Sequence, residues 1–574
     1  MNSALPSTTV LPSIQRVLKS LKVGHKFSIA RPAGSGDAWW LCQLARASQQ
    51  TIVVICADPL ETRRLRDETR LFDTELRISL FPDWETLPYD SFSPHQDLIS
   101  ERLQTLHRLS QSQVDILFVP LTTALYRVTP PSFLAAYTFS FKKGERLNEQ
   151  ALRDQLVLAN YNHVSQVTAS GEFSVRGSII DIFPMGSTVP YRIDLFDDEI
   201  DTIRSFDVDT QRSIYPVNEI NLLPGREFPM DQEARHQFRA RFREIFEGDP
   251  SRALPYKDVG NGINFAGIEY YLPLFFEETA TIFDYIPSSS LCLSTGDLDS
   301  VMQQFWQDTQ SRYNFLKVDR ERPILPPEQL FLSPEQFYLQ LKELARLSFD
   351  PQLTSTEITA APDVAVLRRQ EQPFMRLQQL LEQGDSQVIL CADSAGRRET
   401  LLQLLQEEQL RPSQVFDKLN DFIAEPQDFG LAIAPIQKGF VLNLKEINHQ
   451  HQARQAAQLI ILTENDLYPG TSSMAQRRRK KQEQHSNVEA MVRDLSELRE
   501  GDPVVHVQYG IGRYQGLVHM DVGDGLVEML QLEYANQTKL YVPVSQLHVI
   551  SRYSGADPES APLHLLGSGQ WDKA

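Results

Sequence analysis

Cysteine is scarce in this chain: Cys42, Cys56, Cys292 and Cys391 are the only four in 574 residues. None is in C-x-x-C spacing, which excludes a disulfide scaffold and a cysteine-based zinc site. Cys56 and Cys391 lie inside apolar runs, so buried free thiols in a reducing cytosol are expected. Long apolar runs are also missing. None approaches the roughly 20 residues of a membrane-spanning helix, and the first residues lack the basic-then-apolar layout of a secretory signal. The expectation is a cytoplasmic protein with no membrane contact. Positive charge is short as well, with 56 Lys and Arg against 75 Asp and Glu, a formal net charge of −19. Phosphate contacts dominate duplex affinity, so strong DNA binding by this chain alone is not expected. Complete catalytic motifs are lacking too: no Gly-x-Ser-x-Gly, His-Glu-x-x-His or intact phosphate loop occurs. His506, His519 and His548 share one segment without metal-site spacing and read as strand histidines. Asp197-Asp198-Glu199 reads as an acidic turn. No catalytic residue, metal or cofactor is assigned to this chain.

What remains of a phosphate loop is Arg31-Pro32-Ala33-Gly34-Ser35-Gly36-Asp37-Ala38. On the G-x-x-x-x-G-K-[ST] template, backbone N–H groups cradle phosphates, the Lys reaches the β/γ-phosphates and the hydroxyl holds Mg²⁺. Gly36 keeps its place, but Arg31 replaces the first Gly, Asp37 the Lys and Ala38 the Ser/Thr. Gly34, Gly36, Asp37 and Ala38 therefore outline a degenerate, non-binding nucleotide loop. An ordinary Gly-rich helix start is the alternative.

The composition predicts a multidomain α/β chain with 41% hydrophobic residues, enough for several cores. Residues 1–137 alternate short apolar strands (Ile52 to Cys56, Ile116 to Pro120) with helices, the signature of a parallel sheet. Residues 138–224 switch to period-two strands and form an inserted, mixed α/β domain. Residues 225–345 return to α/β and complete the first domain. A further α/β domain, without a site of its own, occupies 350–469. Residues 470–497 carry Arg477-Arg478-Arg479-Lys480-Lys481 among Ser, Gln and Asn and read as a flexible basic linker. Residues 498–555 pack several short strands and Gly or Asn turns into a small SH3/Tudor-like β-barrel.

The most suggestive surface lies in the inserted domain. In a strand, residues two apart share a face. Tyr191, Ile193 and Leu195 fit the core, which turns Arg192, Asp194 and Phe196 outward; Arg176 falls on the polar side of its own strand. An exposed Phe beside Arg is hot-spot composition for protein binding. The other possibility is that Phe196 covers a second core. If both point outward, Arg192→Ala and Phe196→Ala are expected to leave folding intact.

Three stretches resemble the bacterial transcription-repair coupling factor (Mfd) family: Leu80 to Asp97 (LFPDWETLPYDSFSPHQD), Tyr191 to Asp207 and Asp502 to Tyr553. The resemblance covers essentially the whole chain and is weakest through 350–470. It implies a UvrB-like module of residues 1–345 with a degenerate ATP site, whose inserted domain binds UvrA through positions matching Arg176, Arg192 and Phe196. It also implies that the CarD-like barrel docks on the RNA polymerase β subunit through the stretch after Gly516: Leu517, Val518 and Met520, the last where the family usually has Leu. The family continues into an ATP- and Mg-dependent DNA translocase and a C-terminal domain that masks the UvrA surface. Residues 556–574 would begin the linker to that motor. The expectation is thus a monomeric, motor-less recruitment chain with its UvrA surface unmasked and with DNA contacts mainly in the motor. The rival expectation is a UvrB-like, DNA-dependent ATPase acting in this chain.

Overall fold

A computed structural model describes residues 10–367, 372–447, 457–469, 501–506, 509–521, 526–535, 538–543, 550–552 and 563. The basic run at 477–481 and His548 lie outside them. The chain divides into two compact units, Met1–Leu467 and Tyr468–Ala574.

The first unit opens with helix α1 (Pro12–Ser20), strand β1 (Lys26–Arg31), helix α2 (Gly36–Ser48), strand β2 (Ile52–Cys56) and helix α3 (Pro59–Phe72). Strand β3 (Ile78–Leu80), helix α4 (Gln96–Ser110) and strand β4 (Ile116–Pro120) follow. Every residue of β2 and β4 is buried, because a central parallel strand is covered on both faces and reads as an unbroken apolar run. Asp58 starts α3 by accepting the Leu60 amide at 2.9 Å.

The chain then leaves this layer. Strands β5 (Phe139–Lys142), β6 (Asn162–His163), β7 (Glu172–Arg176), β8 (Ile179–Ile182), β9 (Tyr191–Phe196), β10 (Glu199–Phe206), β11 (Ser213–Val217) and β12 (Glu219–Leu222) follow in order. Six of them form one sheet in the order β11-β10-β9-β8-β7-β6, while β12 pairs with β5. The anticipated acidic hairpin is present with a shorter turn: Glu199 pairs with Phe196, leaving only Asp197 and Asp198 between the strands. Asp197 takes a left-handed backbone (φ 55°), which a two-residue hairpin needs and Asp tolerates.

Strands β13 (Leu291–Thr295) and β14 (Ala345–Thr354) return to the first layer and give a six-stranded sheet in the order β1-β14-β13-β2-β4-β3. Its pairings are all parallel. Strand β14 runs to Thr354, past the boundary expected at 345, because Arg346 to Phe349 are needed between β1 and β13. A third sheet follows, from β15 (Ile358–Ala360), β16 (Ser386–Ala392), β17 (Gln414–Val415), β18 (Phe429–Ile433), β19 (Phe440–Asn443) and β20 (Gln458–Thr463), in the order β15-β19-β20-β16-β18-β17. Its apolar residues Ile358, Phe440 and Ile461 share one core with Trp40, Val54 and Phe72 of the first layer. All four cysteines are buried and free, and burial raises the Cys56 and Cys292 thiols to about 12.

The second unit contains β21 (Pro503–His506), β22 (Gly510–Asp521), β23 (Leu526–Glu533), β24 (Lys539–Pro543) and β25 (Ile550–Arg552). They form an antiparallel sheet in the order β24-β23-β22-β21-β25 around Val504, Leu530, Leu532, Tyr534 and Val542. The edges β24 and β25 are not paired with each other among the described residues.

Candidate functional sites

One face of the inserted sheet is largely polar, exposed toward the Phe196 hairpin and buried at Ser174 and Asp181. Registration sets Asp181 opposite Arg192 and Ser174, and Ile179 opposite Arg176 and Asp194. Tyr191, Ile193 and Leu195 face the core. Phe196, at the hairpin tip, is 75% exposed, so it covers no second core. The Arg176 side chain is half exposed and donates to Asp181 at 2.5 Å.

Arg192 needs a correction. It lies on the outward face, yet its guanidinium is mostly buried and grips Asp181 in a fork, Nε to Oδ1 at 2.7 Å and Nη2 to Oδ2 at 2.9 Å. It also lies 5.0 Å from the Phe206 ring centroid and donates to the Gln211 carbonyl at 3.3 Å. Asp181 is fully buried. The hydrogen bond to Asp181 raises the Arg192 pKa further, against the opposing pull of burial. Arg192 is therefore the counter-ion of a buried carboxylate, and its removal cannot leave folding untouched.

In the second unit, Leu517 and Val518 follow a register shift between Tyr514 and Leu517, at Gly516 (φ 104°). Leu517 is half exposed. Met520 pairs with Val527 through its backbone, but its side chain, like that of His519, lies outside the described residues. His506 is buried, and desolvation pushes its pKa down, so the ring is neutral near pH 7.

The Gly-rich loop joins β1 to α2 and lines a cleft of about 740 Å³ with Glu61, Arg64 and Lys438. Asp37 is buried and does not project unpaired into this space. Arg31 reaches its Oδ2 at 2.6 Å and Arg64 at 2.7 Å, while Oδ1 accepts the Ala38 amide at 2.8 Å. Both arginines also bind Glu61, and Arg64 reaches Glu68 at 2.5 Å. Burial works to raise the Glu61 carboxyl, but Arg64 and Arg31 hold it down at about 2. Three of the loop's N–H groups are taken: Ser35 donates to the Lys438 carbonyl at 3.0 Å, Gly36 to Ala33 at 3.1 Å and Ala33 to Ile358 at 3.4 Å. Sequence reading missed Arg64 and Glu68, although Glu61, Arg64 and Glu68 recur at helical spacing on one face of α3. It also missed Lys438, some four hundred residues from the loop, for which no local signal exists. Among the described residues, no acidic, His or Cys group is arranged to hold a metal, and no helix is long and apolar enough to cross a membrane.

Three segments match known families. Residues 139–228 match the UvrB interaction domain, 380–467 the D3 domain of MFD, and 498–554 the CarD-like/TRCF RID domain. The transcription-repair-coupling factor of Escherichia coli (strain K12) is 40% identical over 98% of this chain and 48% of its own length. The Haemophilus influenzae protein of the same name is also 40% identical, over 94% of this chain and 46% of its own. That of Bacillus subtilis (strain 168) is 25% identical over 97% and 48%. The chain spans about half the length of these curated relatives. Nearly all of it is thus similar to transcription-repair-coupling factors, and segments of it match, in order, the interaction, D3 and RID domain families.

Proposed function

We propose that this chain is the recruitment part of a transcription-coupled nucleotide-excision repair factor. The inserted sheet binds the damage-recognition subunit UvrA, and the second unit binds the RNA polymerase β subunit. The observation that carries this reading is Phe196, a large aromatic left in solvent on a sheet that also carries the half-exposed Arg176 and lies in the segment matching the UvrB interaction domain. Aromatic and arginine side chains exposed on one sheet are the composition of binding hot spots, and no core requires Phe196 there. Arg192 contributes by holding β8 and β9 in register through Asp181, and presents only part of its own surface. On the polymerase side, half-exposed Leu517 offers an apolar contact beside Val518 and Met520 on β22.

The occupied loop supports a role without ATP chemistry in these residues. The 437–439 segment covers it, and Asp37 stands where a phosphate-binding Lys would be. Polymerase release by an ATP-driven motor is not assigned to this chain.

Titrating purified UvrA against the chain and against Phe196→Ala tests the first half of the reading. Binding by the parent and loss in the variant is the expected outcome. Equal binding by both would move the contact off the hairpin.

A further inference from the structure

The Gly-rich loop has a partner within its own chain. Residues 437–439, between β18 and β19, lie directly on it. Ser35 is saturated by this contact: its amide donates to the Lys438 carbonyl, and its hydroxyl accepts the Lys438 amide at 3.2 Å. The same hydroxyl donates to Glu68 Oε1 at 2.9 Å, and that oxygen also accepts the Gln437 amide at 2.8 Å. Behind this polar layer, Phe72 and Phe440 meet edge to face at 6.0 Å.

The two glycines make the approach possible. Gly34 has φ +55°, and a Cβ there would overlap the Gly439 carbonyl. Gly36 is helical and needs no unusual backbone, yet a Cβ there would overlap the Ile358 methyl and come within 3.1 Å of the Phe440 ring. Its small size is therefore explained by what lies against it and not by its own conformation.

We propose that this loop is an intrachain receptor: Ser35 clasps residues 437–440 through a backbone donor that a bound phosphate would use, Gly34 and Gly36 leave room for the approach, and the contact fixes the third sheet to the first. The Lys438 carbonyl takes the place of an anion's oxygen at the Ser35 amide, and the Gly439 carbonyl lies against Gly34. This gives residues 350–467 a role beyond spacing, with Glu68 as the shared acceptor that ties α3 into the clasp.

Gly36→Ala in the full chain tests this by amide hydrogen exchange. Alanine is the better helix former. If nothing depended on the contact, the variant would be as stable as the parent or more so. The clasp predicts the reverse: amides of Gln437 and Lys438 exchange about tenfold faster, while Val388 to Cys391 in β16 keep their protection. Removing the obstructing methyl should cancel the effect, so Gly36→Ala/Ile358→Ala should exchange no faster at 437–438 than Ile358→Ala alone. Unchanged exchange at 437–438 in Gly36→Ala, or a raised melting temperature, overturns the proposal. Should Gly36→Ala fail to fold, Ser35→Ala removes the acceptor of the Lys438 amide without adding bulk. Faster exchange at Lys438 then supports the clasp, and unaltered exchange overturns it.

Discussion

Phe196 and Arg192 lie on one strand face, with Asp194 between them, and have opposite energetic characters. Phe196 is in solvent, so Phe196→Ala should weaken UvrA binding by about 2 kcal/mol or more while stability changes by less than about 0.5 kcal/mol. Isothermal titration beside urea unfolding separates the two effects. Arg192→Ala instead leaves the buried Asp181 with only the half-exposed Arg176 as counter-ion. A loss of about 2 kcal/mol in unfolding free energy is expected from breaking that pair. Asp181→Asn in the same chain should recover part of it, since the uncompensated charge is gone. Full stability in Arg192→Ala would contradict the buried-pair account. Lost binding in an Arg192 variant therefore reports on the contact only after its folding is known.

Helix α3 shows the same point at the scale of an element. Its Arg64, together with Arg31 of β1, neutralises Asp37 at the start of α2, and Glu61 and Glu68 in turn pair with Arg64. Glu61, held at about 2 against an ordinary 4.5, favours the folded state when ionised. A carboxyl with a depressed native pKa contributes its full stabilisation above the unfolded value and loses it as pH falls toward the native one. Urea midpoints should accordingly fall between pH 4.5 and about 2. In Arg64→Ala that slope should flatten, because the main group depressing Glu61 is removed. A slope unaltered by Arg64→Ala would show that Glu61 takes no part. The elements themselves are largely legible in the sequence. The unbroken apolar runs of β2 and β4 mark strands covered on both faces, and the alternation of β9 and β10 marks strands covered on one. The end of β14 is not legible, because Asp350-Pro351 reads as a break and only β1, across the sheet, extends the strand.

For the molecule as a whole, the proposed function gives the two compact units separate partners. Leu517→Asp should weaken binding to the polymerase β subunit and leave the UvrA titration unchanged; loss of both would indicate general misfolding. A ligand that binds only the folded state must stabilise it. With the Ala33, Ser35 and Gly36 amides taken by the chain itself and Asp37 in place of a Lys, Mg-ATP is expected to leave the melting temperature of the chain where it is. A clear upward shift would return the UvrB-like ATPase to consideration.

Pattern and charge along the chain indicated the central strands such as β2, β4, β9 and β10, that Phe196 faces away from its sheet's core, and that no Lys or Ser/Thr follows Gly36. These are local properties, set by side-chain periodicity and residue chemistry. The tertiary structure decided the partners: Asp181 for Arg192, Arg31 and Arg64 for Asp37, and the Lys438 carbonyl for the Ser35 amide. Charges and hydrogen-bond donors are satisfied through space, and a sequence does not show which distant residue a fold brings within 3 Å of another.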